Sequence, residues 1–444
     1  MNLTKRSLVL NTGRVPLDGS GESIAIIGSG VSGLVAAHLL HPKDEVTLFE
    51  ADPRAGGHVN TVDVPEGSRT LAIDTGFIVY NEKNYVGFTG LLSSLEVATQ
   101  VSEMSFSFAS PSTGLEYRGT NLNTMLAKRS NLLRPGFARM VTDIPRFNRD
   151  AKELLAQDDV TITLREFLAR KKYSSAFVDD YLIPLGASIW SANPQTFADF
   201  PAVALVRFFD RHGLLSLGGR PQWRTITGGA RRYVDAITTR LGERVRTNCR
   251  VHRIERNDDG VILHFSGPAP SERFDRVILA THADAALAML ERPSNDERSV
   301  LGAFRFQENR ATLHTDTNLL PRQPRARASW NYLRRDPAQS VPVLTYYANR
   351  LQDLTSTSDY CVTLNADDAI DSSRVLASFD YSHPIFDEAA LRAQRRHDEI
   401  DGVLNTHFVG AYWGYGFHED GVQSAIRVAN RIQGLAHRTW APTR

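Results

Sequence analysis

The feature that most constrains the fold is a glycine motif between a short apolar strand and a helix. Gly28-Ser29-Gly30-Val31-Ser32-Gly33 follows an apolar run at 24–27 and opens a helical stretch at 31–40, and a second strand at 46–49 then ends in Glu50. In such a βαβ unit the glycines permit a tight turn, close approach of a pyrophosphate and close packing of helix on strand. Free N–H groups at the helix start attract phosphate, and a carboxylate at the position of Glu50 binds ribose hydroxyls. The pattern predicts a Rossmann-like dinucleotide-binding unit.

Length and composition narrow the class of protein further. A chain of 444 residues is longer than one ordinary hydrophobic core accommodates, so we expect two domains. Its content of 42% apolar and 23% charged residues is typical of a globular protein. A net charge of +1 argues against a nucleic-acid partner. Two isolated cysteines, Cys249 and Cys361, predict neither a metal cluster nor a disulfide framework, so we expect no metal and a cytoplasmic location. Residues 1–21 lack a signal-peptide core and are predicted to form a flexible arm.

A second glycine motif follows Glu50 directly. Arg54, Gly56, Gly57 and His58 form a segment that can approach a dinucleotide with its backbone, and Asp74-Thr75-Gly76-Phe77 comes shortly after it. This arrangement resembles flavoproteins of the amine-oxidase and phytoene-desaturase type. The usual arginine after the glycine pair is replaced here by His58, which can itself donate a hydrogen bond. The resemblance implies that the cofactor is FAD.

Two later segments carry the same resemblance. Ala280-Thr281-His282 ends a strand-like run, and the segment from Phe408 to Ile426 resembles the C-terminal flavin motif, with Gly421 and Val422 at the start of its helix. A helix N-terminus there would stabilise the negative charge of a reduced flavin. His418, Glu419 and Asp420 are alternatively a plain helix cap with acids in the first turn. The cofactor contacts implied in total are Gly28, Gly30, Val31, Ser32, Gly33, Glu50, Ala51, Arg54, Gly56, Gly57, His58, Thr75, Gly76, Phe77, Val251, Ala280, Thr281, Gly410, Gly421 and Val422.

Longer stretches resemble one bacterial subgroup of these flavoproteins. They include DTGFIVYN, YLIPLGASIWS, HGLLSLGGRPQWRTITGG and GYGFHEDG, and the resemblance spans residues 23–432. Members of this subgroup are often encoded beside cyclopropane-fatty-acyl-phospholipid synthase-like methyltransferases. The resemblance therefore implies a lipid acyl-chain substrate and a methyltransferase as a pathway partner.

The predicted fold class is mixed α/β, with a Rossmann-like FAD-binding domain of the two-dinucleotide-motif type interleaved with a substrate domain of sheet plus helices. The expected FAD-binding domain comprises residues 22–85, 225–290 and 405–436, and the substrate domain residues 86–224 and 291–404. Alternating apolar residues predict strands at 244–279. Residues 120–180 are predicted to be helical, with breaks at Pro135 and Pro145.

The distribution of lysine bears on the reaction. Only seven of the 51 basic residues are lysines, and none lies beyond Lys172. Typical amine oxidases place a lysine from the second half of the chain near flavin N5, and arginine is a poor substitute because it keeps its proton. The sequence therefore favours dehydrogenation of a C–C bond, by hydride transfer to N5, over a flavin amine oxidase acting on a small amine. Arginine-biased codon usage is the alternative explanation. A non-catalytic, flavin-bound lipid-binding partner of the methyltransferase is a third hypothesis, and a nicotinamide-only dehydrogenase is least favoured.

Aromatic residues supply the catalytic and substrate-lining candidates. Trp413, Tyr415 and His418 precede or begin the predicted flavin-facing helix, and His418 is the candidate acid or base. Tyr80 and Asn81 are further polar candidates. Core packing is the alternative for each aromatic residue. The other aromatic-rich segments that can line an acyl-chain tunnel are 105–108, 189–190, 208–209, 223, 330–332, 346–347 and 412.

A basic amphipathic stretch at 126–152 suggests a peripheral contact with the inner face of an anionic membrane. Seven basic residues oppose Asp143 and Asp150 here, a local charge of +5, and six large apolar side chains alternate with them. The alternative is a solvated helical face that packs on the core.

Overall fold

The computed structural model describes residues 21–157, 161–215, 221–335 and 341–435. Residues 1–20, which make up nearly all of the predicted arm, lie outside the described residues. None of the helices in the described ranges has the length and apolar character needed to span a bilayer.

Twenty β-strands are present in the described residues. In chain order they are β1 (Ser23–Ile27), β2 (Glu45–Phe49), β3 (Thr61–Glu66), β4 (Arg69–Asp74), β5 (Tyr80–Asn81), β6 (Thr99–Ser102), β7 (Phe106–Ser110), β8 (Leu115–Arg118), β9 (Trp223–Ile226), β10 (Val245–Arg246), β11 (Val251–Asn257), β12 (Gly260–Phe265), β13 (Glu272–Phe274), β14 (Arg276–Leu279), β15 (Arg305–His314), β16 (Trp330–Leu333), β17 (Val343–Tyr347), β18 (Cys361–Leu364), β19 (Val375–Ile385) and β20 (Thr406–Phe408).

Fifteen α-helices connect and cover these strands in the same part of the chain. They are α1 (Val31–Leu40), α2 (Val86–Ser94), α3 (Leu122–Met125), α4 (Pro135–Gln157), α5 (Leu164–Lys171), α6 (Ser175–Phe177), α7 (Ile183–Trp190), α8 (Ala202–Arg211), α9 (Arg231–Leu241), α10 (Ala283–Met289), α11 (Asn295–Leu301), α12 (Ala348–Leu351), α13 (Glu388–Gln394), α14 (His397–Ile400) and α15 (His418–Ile432).

A five-stranded parallel sheet forms one side of the molecule, in the order β10-β2-β1-β14-β20. Its central strand β1 is apolar and buried from Ile24 to Ile27, as expected for a strand covered on both faces. Helix α1 is apolar nearly all round, and it packs between this sheet and α15. The predicted βαβ unit therefore forms the centre of the sheet.

A seven-stranded sheet lies on the other side, in the order β19-β15-β18-β17-β16-β7-β8. Its strands pair antiparallel, except that β16 runs parallel to β7. Helices α4 to α8 form a large aromatic and aliphatic core together with residues of β7, β8, β16 and β17.

The chain alternates between the two large sheets. Strands of the parallel sheet come from residues 23–49, 245–279 and 406–408, and those of the seven-stranded sheet from 106–118 and 305–385. The mixed α/β class is confirmed by this architecture. The exact domain boundaries given above stay a prediction.

The predicted helix break at Pro145 is wrong. Helix α4 begins at Pro135 but continues through Pro145 to Gln157. An internal proline costs about 3 kcal/mol because it lacks an N–H and its ring crowds the preceding turn. The helix buries several large side chains around it, each worth about 1.5–3 kcal/mol, so burial outweighs the cost. These side chains are Phe137, Met140, Phe147 and Leu154.

Candidate functional site

The glycine loop sits at the carboxyl end of β1, where a parallel sheet binds its ligands. The Gly28 N–H donates to the Phe49 carbonyl (2.8 Å), which fixes the loop beside β2. Helix α1 then begins at Val31 with Gly30 as its N-cap residue and no side-chain cap, so the first N–H groups of the helix stay available for an anion.

Glu50 holds this loop in place. One carboxylate oxygen accepts hydrogen bonds from the backbone N–H (2.9 Å) and hydroxyl (2.5 Å) of Ser29, and the other accepts from the Asp52 N–H (3.0 Å). The Gly56 N–H donates to both oxygens of Ser29, the carbonyl and Oγ, at 3.1 Å. Ser29 therefore links the first glycine motif to the second, and Glu50 holds Ser29 in position.

The second motif folds back over the first. Its Gly57 has φ +57°, and a Cβ added there would lie 3.1 Å from the Cα of Gly30. The Arg54 guanidinium donates to the carbonyls of Gly57 (2.8 Å) and Val59 (2.9 Å), which stabilises the turn.

Two glycines of the first motif have different surroundings. A Cβ added at Gly33 would lie 1.9 Å from the Gly28 carbonyl oxygen, so this glycine serves helix packing. A Cβ added at Gly30 meets no atom within 4 Å, so the backbone there faces open space. The loop thus provides a glycine-lined space for a phosphate-bearing ligand.

The start of helix α15 packs against the start of α1. A Cβ at Gly421 would lie 2.7 Å from a methyl group of Val31 and 2.8 Å from Ser32 Oγ. Glu419 accepts hydrogen bonds from the N–H groups of Gly87 (2.8 Å) and Phe88 (2.9 Å) at the start of α2. Three helix N-termini are therefore held close to the same region.

One cavity of about 740 Å³ extends from this loop towards the seven-stranded sheet and helices α7 and α8. Most of the predicted cofactor residues line it, although they come from five separate parts of the chain. These lining residues are Gly28, Gly30, Val31, Ser32, Glu50, Ala51, Arg54, Gly56, Gly57, His58, Gly76, Phe77, Ala280, Thr281 and Gly410.

Five predicted cofactor residues do not line the cavity. Gly33 and Gly421 pack helices closely, and Val422 is buried in the core beside them. Thr75 is buried and forms hydrogen bonds with Asn60 and Tyr381. Val251 does not line the cavity, but the preceding residue, Arg250, does. Tyr80 and Asn81 are likewise buried away from the cavity walls.

The model of the flavin containing amine oxidoreductase family matches residues 31–328 of the chain. The chain belongs to this family. It is 26% identical over 272 residues to a 15-cis-phytoene desaturase of Narcissus pseudonarcissus, a match that covers 56% of this chain and 45% of the relative. A segment of 44 residues is 50% identical to protoporphyrinogen oxidase 2 of Arabidopsis thaliana, covering 10% of this chain and 9% of the relative. The matches thus span less than half the length of these curated relatives.

Solved structures share the overall fold. A putrescine oxidase variant superposes with a TM-score of 0.67 at 17% identity, covering 93% of this chain and 99% of the other. A fatty acid isomerase from P. acnes that produces CLA superposes with a TM-score of 0.67 at 15% identity, covering 92% and 98%. Cyclohexylamine oxidase from Brevibacterium oxydans gives 0.67 at 18% identity, covering 93% and 99%.

The residues of this flavin amine oxidoreductase fit an FAD cofactor. Gly30 leaves open space beside the helix start for a pyrophosphate, and Gly57 lets the second motif pack closely against Gly30. The carboxylate of Glu50 lines the cavity at the end of β2, where ribose hydroxyls bind. Gly76 also lines the cavity, and it lets its segment pack against the second motif, because a Cβ there would lie 2.1 Å from the His58 carbonyl oxygen. The protein is therefore an FAD-dependent oxidoreductase.

His418 lies at the first position of α15, inside the cavity wall. Its ring stacks on Phe77 with centroids 3.5 Å apart, and its Nε2 is 3.0 Å from the Tyr233 hydroxyl. Burial lowers the pKa of His418 to about 3, so the imidazole is neutral near neutral pH. These features suit a fixed neutral hydrogen-bonding group better than a general base, and its catalytic role stays a prediction.

The two other catalytic candidates do not line the cavity. Trp413 is buried among Phe304, His397 and Tyr412, and it is Tyr412 that reaches the cavity wall. Tyr415 accepts a hydrogen bond from the Trp190 indole through its backbone carbonyl (3.1 Å). Both residues lie next to the cavity rather than in its described lining, and their catalytic role stays a prediction.

Sequence reasoning predicted His58 but missed that it meets two other histidines in the cavity lining. The ring of His58 lies 6.1 Å from His282 and 5.4 Å from His383, and it stacks on Tyr381 at 5.0 Å. Burial, reinforced by the neighbouring imidazoles, holds the pKa of His58 well below its usual value, and burial lowers that of His383 to about 4. Three neutral imidazoles can thus donate or accept hydrogen bonds here without adding charge.

The part of the cavity beyond the glycine loops is apolar. It is lined by aromatic and aliphatic side chains, together with Ser191 and His212. The apolar lining residues are Met104, Phe106, Tyr181, Leu185, Ile189, Phe208, Leu214, Trp223, Trp330 and Tyr346. We call this part the apolar chamber.

His212 is a polar group within the apolar chamber that sequence reasoning did not single out. Its Nδ1 lies 2.9 Å from the Phe208 carbonyl oxygen, so Nδ1 carries the proton and Nε2 is a hydrogen-bond acceptor. Its ring stacks on Phe208 at 3.9 Å, and burial lowers its pKa to about 4. It is thus a neutral acceptor held rigidly by aromatic neighbours.

Proposed function

We propose that this flavoenzyme dehydrogenates a C–C bond in a phospholipid-linked or otherwise modified fatty acyl chain. The single observation that carries the proposal is the apolar chamber, which continues directly from the glycine-lined part of the cavity. FAD, when bound, supplies the acceptor for a hydride equivalent, and loss of a proton from the neighbouring carbon completes a C=C bond.

The chamber suits a hydrocarbon chain because its walls offer dispersion contacts and exclude water. Phe106 and Trp330 lie opposite each other on the paired strands β7 and β16 and form one wall. Leu185 and Ile189, one turn apart on α7, form another. These side chains would hold a flexible acyl chain in an extended path.

The charges of the cavity also favour a neutral substrate. Its described carboxylates are Glu50, Asp52 and Asp380, and none of them belongs to the apolar chamber. Lysine is absent from the described lining residues, so the lysine implied for typical amine oxidases has no counterpart in this cavity. The fatty acid isomerase with the same fold supports the view that this architecture can accept an acyl chain.

We also propose that a cyclopropane synthase-like methyltransferase acts in the same pathway. A methyltransferase that modifies unsaturated acyl chains would supply a branched or ring-bearing chain to the apolar chamber. This proposal comes from the resemblance of the long sequence motifs described above.

Anaerobic reduction of the FAD-loaded enzyme tests the substrate class. We expect the visible absorbance of the flavin to bleach with a phospholipid bearing a branched or unsaturated chain, and to persist with small primary amines. Bleaching by amines alone would favour the amine oxidase and refute the acyl-chain proposal. A control with Ile189→Trp, which fills the chamber away from the glycine loops, should keep the flavin spectrum and lose bleaching by lipid.

A further inference from the structure

The residues just before helix α4 form an exposed apolar tip. Leu132 and Leu133 end a 3-10 helix that spans Arg129–Leu133, and their side chains are 65% and 86% exposed. We call residues 128–134 the leucine tip. An exposed apolar patch that is rimmed by polar residues is typical of a protein or membrane interaction site.

The tip is fixed to the protein body by three hydrogen bonds. The buried Asn131 amide donates to the Glu116 carbonyl (2.9 Å) on β8. Lys128 donates to the Gly114 carbonyl (2.7 Å), and Arg134 donates to the Thr113 carbonyl (2.6 Å). The leucines therefore project from a preformed support.

These hydrogen bonds leave the positive charges of the tip in place. The acceptors of Lys128 and Arg134 are neutral carbonyls, and the side chains of Arg129 and Arg139 form no hydrogen bond or salt bridge with the described residues. Arg325 adds a further cation from a segment that packs against β8.

The rest of α4 differs in charge balance. Arg146 pairs with Asp143 (2.8 Å) and lies over the Tyr173 ring, and Arg149 pairs with Asp150 (3.2 Å). The excess positive charge expected over 126–152 is thus concentrated around the leucine tip.

We propose that the leucine tip inserts into the headgroup region of an anionic lipid bilayer. Exposed leucines flanked by positively charged side chains match an anionic bilayer, whose headgroups are negative and whose interior is apolar. A protein partner would need a larger complementary area than two leucines offer. The contact would be peripheral, and it does not rest on the proposed substrate.

The tip also lies near the cavity along β8. That strand begins at Leu115, next to the Gly114 carbonyl bonded by Lys128, and Gly119 just beyond its end lines the cavity. Five residues of extended chain span about 15 Å. A bilayer at the tip would therefore lie within reach of the cavity wall.

Vesicle sedimentation of the full-length, FAD-loaded protein tests the proposal. The probes are vesicles of phosphatidylcholine alone and of phosphatidylcholine mixed with phosphatidylglycerol. Wild type should bind the anionic vesicles at least ten-fold more tightly. Arg129→Ala with Arg139→Ala should weaken binding by roughly 25-fold, at about five-fold per cation, and Leu132→Ser with Leu133→Ser should weaken it at least ten-fold.

Arg149→Ala with Lys152→Ala is the matched control, because it removes the same charge from the far end of α4 and should bind like wild type. Equal sedimentation of all variants, or an equal loss in the control, would overturn the proposal. Self-association that the leucine variant abolishes, without vesicle binding, would assign the tip to a second copy and also overturn it. Visible absorbance and melting temperature of each variant confirm that loss of binding is not loss of fold.

Discussion

The glycine loop makes a prediction that separates cofactor binding from folding. Gly30 and Gly33 lie on the same turn, yet an added Cβ meets open space at Gly30 and the Gly28 carbonyl at 1.9 Å at Gly33. Gly30 has φ −63° and ψ 177°, which alanine adopts without strain. Gly30→Ala should therefore fold normally and bind FAD weakly, whereas Gly33→Ala should be unstable.

The magnitudes follow from these two environments. The methyl group of Gly30→Ala would keep a phosphate from the helix N–H groups, and losing one such charge-assisted hydrogen bond costs about 1.5–3 kcal/mol, or roughly ten- to one-hundred-fold in Kd. The methyl group of Gly33→Ala must displace backbone, which costs roughly 1–3 kcal/mol or more.

Titration of the apoproteins with FAD, followed by flavin fluorescence, gives the affinity, and urea unfolding of the same apoproteins gives the free energy of unfolding. Gly30→Ala should match wild type in unfolding and differ in Kd. The reasoning is refuted if Gly30→Ala binds FAD like wild type, or if it destabilises the apoprotein as much as Gly33→Ala does.

Three further predictions follow from buried groups and from the chamber. Glu419→Gln should lower the free energy of unfolding by about 1–3 kcal/mol, because the amide leaves an N–H group at the start of α2 without an acceptor. The control is Glu45→Gln at an exposed position, and equal urea midpoints for the two variants would contradict the prediction. Ile189→Trp should abolish turnover of acyl substrates while the FAD content stays unchanged, and loss of both would show that the chamber and the cofactor site are not separable. Burial raises the pKa of Asp74 from 3.8 to about 7, so the folded protein keeps a proton that the unfolded chain has released, and the free energy of unfolding should fall as pH rises across this range. Asp74→Asn should flatten that part of the profile, and an unchanged slope in thermal melts would show that another group is responsible.

The glycine loops that line the cavity were predictable because their pattern is local. Gly28, Gly30 and Glu50 lie within one βαβ unit, so their spacing in the sequence fixes their spacing in space. The second motif was also recognisable, since paired glycines allow close backbone approach wherever they occur.

The side chains that face the cavity were harder to predict, because they depend on how the strands of the seven-stranded sheet pair and on where each residue lies along its strand. Phe106 and Phe108 point to the same face of β7, but Phe106 lines the cavity and Phe108 stacks on Tyr332 in the core. His58 and His383 meet because β19 lies at the edge of that sheet, beside the second glycine motif. No local pattern in the sequence indicates such a meeting.

Pro145 shows that a helix break cannot be predicted from the local sequence alone. Its local effect on the helix was judged correctly as unfavourable, but the burial of Phe137, Met140 and Phe147 on the same helix outweighs it. Tertiary packing of this kind can be seen only once the partners of the helix are known.

The central claim is that the enzyme removes hydrogen from a lipid acyl chain. Its most direct test is the fatty-acid profile of a strain lacking this protein, compared with the same strain carrying wild-type or Ile189→Trp protein. We expect the deletion strain to accumulate an acyl chain that carries one more pair of hydrogens than its normal product, with rescue by wild type alone. An unchanged fatty-acid profile in the deletion strain would contradict the account.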